Sequence, residues 1–293
     1  MIVTKLMGGM GNQMFQYAFG KYLAVKHNAV LKLDTAFLLD RTPHKEFFVF
    51  REYDLDIFNL KVEFANTAEV NALTKRLPVV IPDKILNRLI GVKKSYVVEP
   101  HYHFSASCFA APDNSYLEGY WQTEKYFAPI KEQLKKEDFS FRVALSDKAK
   151  LLASEIQNTN SVCVNIRRAD FVVTDFHGTC NPDYYKKGED IICSKIIDPH
   201  YFVFSDEIDW CRENIKFAGL VTYVGHEYAG PKFQDYLRLM ALCHHYIIPN
   251  SSFAWWAVWL NEQADKTVIA PQKWFNDTSW NPKDLIPNEW IKI

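Results

Sequence analysis

Arg167 and Arg168 stand side by side at the end of the apolar run VCVNI (162–166), with Asp170 two residues further on. The planar guanidinium fork matches phosphate oxygens in a bidentate way, so an arginine pair at a strand exit is suited to hold a phosphate. Adjacent side chains there point in different directions, so one can face a ligand while the other anchors locally. The alternative is a structural ion pair between one arginine and Asp170. A second cluster, Asn250-Ser251-Ser252-Phe253, lies where another apolar run passes into a helical pattern. Ser251 and Ser252 are good N-cap residues, and a capped helix alone would explain them. Set opposite an arginine pair, the same hydroxyls and N–H groups make a seat for a diphosphate.

A third cluster, Gly8-Gly9-Met10-Gly11-Asn12-Gln13, separates the first apolar run from the first helical pattern. Glycines let the backbone approach an anion closely, and the helix that follows presents unpaired N–H groups. Asn12 and Gln13 add amides suited to polyhydroxylated or phosphate oxygens; a tight turn without a ligand is the plainer alternative. Asp34 sits where a dinucleotide fold carries its ribose-binding acid, but Met14 replaces the third fingerprint glycine, which opposes an NAD-dependent dehydrogenase.

Weaker patterns accompany these. Asp54-Leu55-Asp56 matches the D-x-D that holds a divalent metal in one class of sugar transferase, yet the alternation in YDLDIF suggests a half-exposed strand or turn. His101/His103 and His244/His245 lack partners at ligand spacing and read as structural. Ser205-Asp206-Glu207 reads as a helix cap. No nucleophilic triad and no paired carboxylates at hydrolytic spacing are visible.

Such residues act together only if strands end at a common edge. Short apolar runs at 162–166, 201–204, 220–224, 246–248 and 267–270 alternate with helical patterns near 183–195, 207–215, 233–243 and 253–261. That alternation predicts βα units on a parallel sheet covered on both faces. The N-terminal part begins alike, with strands at 2–6 and 29–33 around a helix at 12–27, and later a strand at 116–122 entering a helix at 124–135. The stretch from 35 to 110 gives no clear pattern. The expected organisation is α/β, with two Rossmann-like domains, 1–150 and 151–293, facing across a cleft that takes ligands at the carboxyl ends of the strands.

Composition narrows the function class. The chain has 293 residues, 34 Lys+Arg against 35 Asp+Glu and a net charge of −1, which argues against nucleic acid as the main partner. Hydrophobic residues at 48% supply substantial cores, and aromatics at 15% suit either clefts for ring-shaped ligands or large cores. The six cysteines form no C-x-x-C pair and read as free thiols of a reducing compartment. No signal-peptide core precedes the first strand, and the longest apolar run, FAWWAVWL, is too short to cross a bilayer. A cytoplasmic enzyme is the expectation, with peripheral attachment at the inner membrane face left open.

The stretches GGMGNQMFQYAFGKYLA, LEGYWQTEKYF, VNIRRADFV, HGTCNPDYY, FVFSDEIDW and NSSFAWWAVWLN resemble the α-1,2-fucosyltransferases of glycosyltransferase family 11. The resemblance implies a GT-B architecture and inverting transfer of L-fucose from GDP-β-L-fucose to the 2-hydroxyl of a galactose-terminated glycan, without cofactor or required metal. The family motif His-x-Arg-Arg-x-Asp, typically with Gly before Asp, departs here: Asn165 and Ala169 hold the His and Gly positions. By resemblance, Arg167 and Arg168 contact the donor phosphates, with Asn165, Ser251, Ser252 and Phe253 lining the pocket. Gly9, Asn12 and Gln13 approach from the first domain, and Asp235 recognises guanine. Arg168 stabilises the leaving charge, and Asp170 or Asp175 is the expected base, with His177 a further candidate. A GDP-sugar transferase of other linkage and a non-catalytic GDP-sugar or glycan-binding module are the alternatives.

Overall fold

A computed structural model describes residues 1–42, 49–74, 95–169, 178–277 and 280–293. The chain divides into two compact units: 1–44, 50–140 and 283–285 form the first, and 45–49, 141–282 and 286–293 the second. The division falls ahead of the position at 150 read from the sequence, because helix Asp147–Gln157 packs on helix Gln234–Leu242 of the second unit.

The first unit is built on a five-stranded parallel sheet, β1 (Ile2–Lys5), β2 (Leu31–Asp34), β3 (Glu63–Phe64), β4 (Tyr96–Val98) and β5 (Ser115–Glu118), in the order β3-β2-β1-β5-β4. Helix α1 (Met10–His27) follows β1 and ends at Asn28 in the left-handed region (φ 50°), whose N–H caps the carbonyls of Ala24 and Val25. Gly20 lets α1 lie close against β1, since a Cβ there would collide with the Thr4 side chain. Phe19 of α1 packs on Trp121 at 4.6 Å and Tyr126 at 4.8 Å, all three buried.

The helix expected over 124–135 is instead a broken series of turns: 3-10 turns at Glu124–Tyr126 and Ala128–Ile130, then Lys131–Gln133 and a wide turn at Leu134–Asp138. Pro129 has no N–H to donate and its ring excludes the preceding turn, so one continuous helix cannot form.

The second unit carries a six-stranded parallel sheet, β6 (Ser161–Ile166), β7 (His200–Ser205), β8 (Leu220–Val224), β9 (His245–Ile247), β10 (Val268–Ala270) and β11 (Ile291–Lys292), in the order β11-β10-β9-β6-β7-β8. Every residue of β6 and β7 is buried, as befits strands whose centres, 162–164 and 201–204, are apolar without a break. Helix Ser252–Leu260 is apolar around its circumference and accordingly buried from Ala254 to Trp259, with Trp255 against Trp256 and Trp290. Among the described residues no helix is long and apolar enough to cross a membrane.

Candidate functional site

In the second sheet the chain winds from β6 outward through β7 and β8, then restarts at β9 on the other side of β6 and winds outward through β10 and β11. Connections leaving β6 and β9 therefore diverge and open a crevice at their carboxyl ends, the position where open α/β sheets bind ligands. Arg167 and Arg168 leave β6 at that point, and Asn250, Ser251 and Ser252 leave β9. The pairing of Val164 with Ile247, continued along both strands, brings Arg167 level with Asn250. The topology thus sets the arginine pair beside the serine-capped helix.

The arginines are held from β7. Asp206 accepts the backbone N–H of Arg168 at 3.0 Å, and its other oxygen forms an ion pair with Nη1 of Arg167 at 2.9 Å. Glu207 accepts from Nε of Arg168 at 2.9 Å, and Trp210 lies beneath that guanidinium, 3.6 Å from ring centroid to Cζ. Ser205-Asp206-Glu207 is therefore an arginine clamp and more than the helix cap it resembles in sequence; no side-chain cap bond is made at Glu207. The two Nη groups of Arg168 make no hydrogen bond or ion pair to a described residue, and the side chain keeps 21% of its surface exposed. Nε and one face of the guanidinium plane are spent on orientation, and the two Nη groups are left without a partner among the described residues.

The other second-unit candidates divide by role. Ser251 is the N-cap of helix Ser252–Leu260, its Oγ accepting from Ala254 N at 3.5 Å, while Ser252 and Phe253 are half-buried in the first turn. Asn250 donates to the carbonyls of Trp274 (2.9 Å) and Gly178 (3.3 Å), tying down the segment before helix Pro182–Cys193. Asn165 is buried and donates to Phe204 O at 3.2 Å, pinning β6 to β7 beneath the arginines. Asp235, in the first turn of helix Gln234–Leu242, is 6% exposed, and its carboxylate forms no hydrogen bond or ion pair with a described residue. Phe233 beside it is half exposed, with φ 58°, and stands edge-on to Tyr236. Asp170, Asp175 and His177 lie outside the described residues.

In the first unit, Gly8 adopts φ 74°, and a Cβ there would collide with the Asn12 amide. Gly9 caps α1 without a side chain and leaves room for the Arg51 guanidinium, 3.9 Å from where its Cβ would be. Gln13, expected to meet the donor, instead turns inward and is fully buried. Its Nε2 donates to Gly8 O (2.9 Å) and Glu52 O (2.8 Å), and its Oε1 accepts from Asp54 N (3.0 Å). The amide is consumed in bracing the glycine turn, and Asp54 takes part in that brace. Asn12 is half-buried and accepts from Nε2 of Gln122 at 2.6 Å. His101 and His103 stack their rings at 3.5 Å. Among the described residues no three His, Cys, Asp or Glu side chains are grouped to hold a metal ion.

In sequence Asp206 and Glu207 read only as a helix cap and Trp210 carries no signal of its own, although FVFSDEIDW holds all three; their partners Arg167 and Arg168 lie far off in the chain, at the exit of the neighbouring strand.

Comparison with known proteins adds the following. The sequence model described as Glycosyl transferase family 11 matches residues 1–293. An Escherichia coli alpha-1,2-colitosyltransferase is 31% identical over 306 residues, covering 100% of this chain and 98% of that protein. The Rattus norvegicus galactoside alpha-(1,2)-fucosyltransferase 1 is 26% identical over 193 residues, 60% of this chain and 50% of that protein. Among solved structures, a mutant of Arabidopsis thaliana FUT1 in complex with GDP superposes with a TM-score of 0.51 at 10% identity, covering 91% of this chain and 69% of that one. That likeness places the two parallel-sheet units in the GT-B fold class.

Proposed function

We propose, for a chain that belongs to glycosyl transferase family 11 and is therefore a glycosyltransferase, that it moves L-fucose from GDP-β-L-fucose to the 2-hydroxyl of a terminal galactose, with inversion at the anomeric carbon and no required metal. In this reading the second unit takes the donor and the first unit the acceptor. The observation that carries it is the orientation of Arg168. Two carboxylates and an indole fix the residue at the sheet's switch point while its Nη donors keep no partner among the described residues. Charge develops on the β-phosphate as the sugar–phosphate bond breaks, and a prealigned guanidinium stabilises it without reorganising. Arg167, half neutralised by Asp206, serves the same phosphates.

Asp235 and Phe233 suit a guanine: a buried carboxylate accepts from the two N–H donors of its Watson–Crick edge, and an exposed ring offers a face to stack on. Asn165 has no titratable group and its Nδ2 is spent on Phe204 O, so the proton from the acceptor goes elsewhere.

A second reading has its own support. The colitosyltransferase aligns with the whole chain, and colitose is L-fucose without its 3-hydroxyl, so GDP-colitose is the rival donor. The deciding experiment is a matrix of GDP-L-fucose, GDP-colitose and GDP-mannose against galactose-terminated acceptors, followed by linkage analysis. An α-1,2-fucosyl product supports the first reading. Turnover of GDP-colitose or GDP-mannose alone replaces the donor, and GDP binding without release from any pair identifies a non-catalytic module.

A further inference from the structure

In the first sheet, β1 and β5 are neighbours although the chain winds from β1 to β2 and β3 on one side and places β4 beyond β5 on the other. The carboxyl ends of β1 and β5 thus form that unit's own crevice. The loop leaving β5, Gly119-Tyr120-Trp121-Gln122, is built with unusual constraint. Trp121 is fully buried at φ 57°, a conformation costly for a bulky side chain and concentrated at functional sites. Its Nε1 has no hydrogen-bond partner among the described residues. Gln122 bridges Asn12 of α1, through Nε2, and the hydroxyl of Tyr102, through Oε1.

Glu99, directly after β4, organises this loop. Its Oε2 accepts from Tyr120 N at 2.7 Å and its Oε1 from Trp121 N at 3.1 Å, and Gly119 is required because a Cβ would collide with the Glu99 side chain. No cation among the described residues pairs with it. The titratable groups near it are Tyr102, Tyr120, Tyr126 and Cys108, all neutral at pH 7. Burial raises the carboxyl to about 7 against the opposing pull of the two N–H groups. Each oxygen retains a second lone pair, and the half-buried Tyr120 ring, with Tyr102 at 6.2 Å, offers an aromatic flank for a sugar ring.

The geometry points to Glu99 as the base that takes the proton of the acceptor hydroxyl, with Asn12, Tyr102, Tyr120 and Gln122 around it as the acceptor-sugar subsite. This rests on the transferase reading above. The acceptor O–H bond breaks with its proton passing to a Glu99 oxygen. The freed electron pair bonds the anomeric carbon, and the sugar–phosphate bond breaks with its pair leaving on the nucleoside diphosphate. Glu99 then returns the proton to water.

The test uses the full chain with the donor–acceptor pair that turns over in the matrix. Glu99→Gln should lower kcat by about 10²–10⁴-fold, the usual share of a general base, and flatten the limb of the pH–rate profile near 7, while GDP affinity stays within about twofold. Glu99→Ala should regain activity with azide or formate, which a loop anchor would not. A Glu99→Gln enzyme within about threefold of the unaltered one, or one that keeps the limb, overturns the assignment. If both variants fail to fold, NMR of ¹³C-carboxyl glutamate in the unaltered chain decides: the Glu99 titration must shift when acceptor binds, and an unmoved titration overturns it. Absence of turnover on every pair defeats the transferase reading and this inference with it, whereas turnover indifferent to Glu99 defeats the inference alone.

Discussion

Asp206 engages both members of the arginine pair, bonding to the backbone N–H of Arg168 through one oxygen and pairing with the guanidinium of Arg167 through the other. A single carboxylate thereby fixes where the main chain turns out of β6 and where one guanidinium points.

Arg168 makes the sharpest prediction. Because its Nη groups are left for a ligand, Arg168→Ala should reduce kcat by about 10²–10³-fold, the loss typical for one prealigned charge-stabilising donor. Arg168→Lys should recover little of it, since an ammonium can neither bond Glu207 through Nε nor present a fork. Thermal melts of both variants should stay close to the unaltered protein. A folded Arg168→Ala enzyme with near-normal kcat removes the residue from the reaction.

The clamp should fail in a graded way. Glu207→Gln keeps a hydrogen-bond acceptor and loses the charge, so it should cost less than Asp206→Asn, which weakens contacts to two arginines. Trp210→Leu removes the ring beneath the Arg168 guanidinium, a stacking contact of roughly 0.5–2 kcal/mol. All three act through arginine position, so kcat should fall more than GDP affinity. Steady-state kinetics beside GDP calorimetry measures the split, and equal losses in both would mean that the clamp only builds the binding site.

The contrast between Arg168 and its clamp marks what the chain discloses in one dimension. β6 and β7 are legible because a strand buried on both faces is mostly apolar rather than alternating, and the exits of such strands point to the site. β3 and β4, with two and three residues near the edge of the first sheet, are too short to carry a period, so the stretch from 35 to 110 stayed blank. The broken turns after Thr123 resemble a helix in sequence because the apolar spacing outweighs the single signal of Pro129. Glu207 and Arg168 stand 39 residues apart, and only the β6–β7 register brings them together. Gln13 misled for another reason: an amide beside a glycine turn suits a ligand and a backbone brace equally, and only burial separates the two.

Gln13 should accordingly be a stability residue. Gln13→Ala leaves the Gly8 and Glu52 carbonyls and the Asp54 N–H without their partner, at about 1–3 kcal/mol for each group that water cannot reach. A loss of roughly 2–4 kcal/mol in chemical denaturation is expected. Asn12→Ala, at a half-buried position, should cost less stability and more activity. Equal melting temperatures for Gln13→Ala and the unaltered chain would show that the brace carries no weight.

Glu99 gives a pH dependence whose sign follows from its raised carboxyl. The folded chain holds this proton up to about pH 7, whereas the unfolded chain releases it near 4.5. Between those values the folded state binds more protons, so the Glu99 contribution is unperturbed below about 4.5, and stability falls by up to roughly 1.4 kcal/mol per pH unit as pH rises towards 7. Above 7 the penalty is constant. Glutamine cannot titrate, and it forfeits one of the two N–H acceptors at every pH. Glu99→Gln should therefore be the less stable form at pH 5, gain on the unaltered chain up to about pH 7 and gain nothing further from there to pH 8. Paired denaturation curves across that range check it. Parallel curves would mean that the carboxylate is ionised throughout, held by its two backbone donors as an anchor with no proton to exchange.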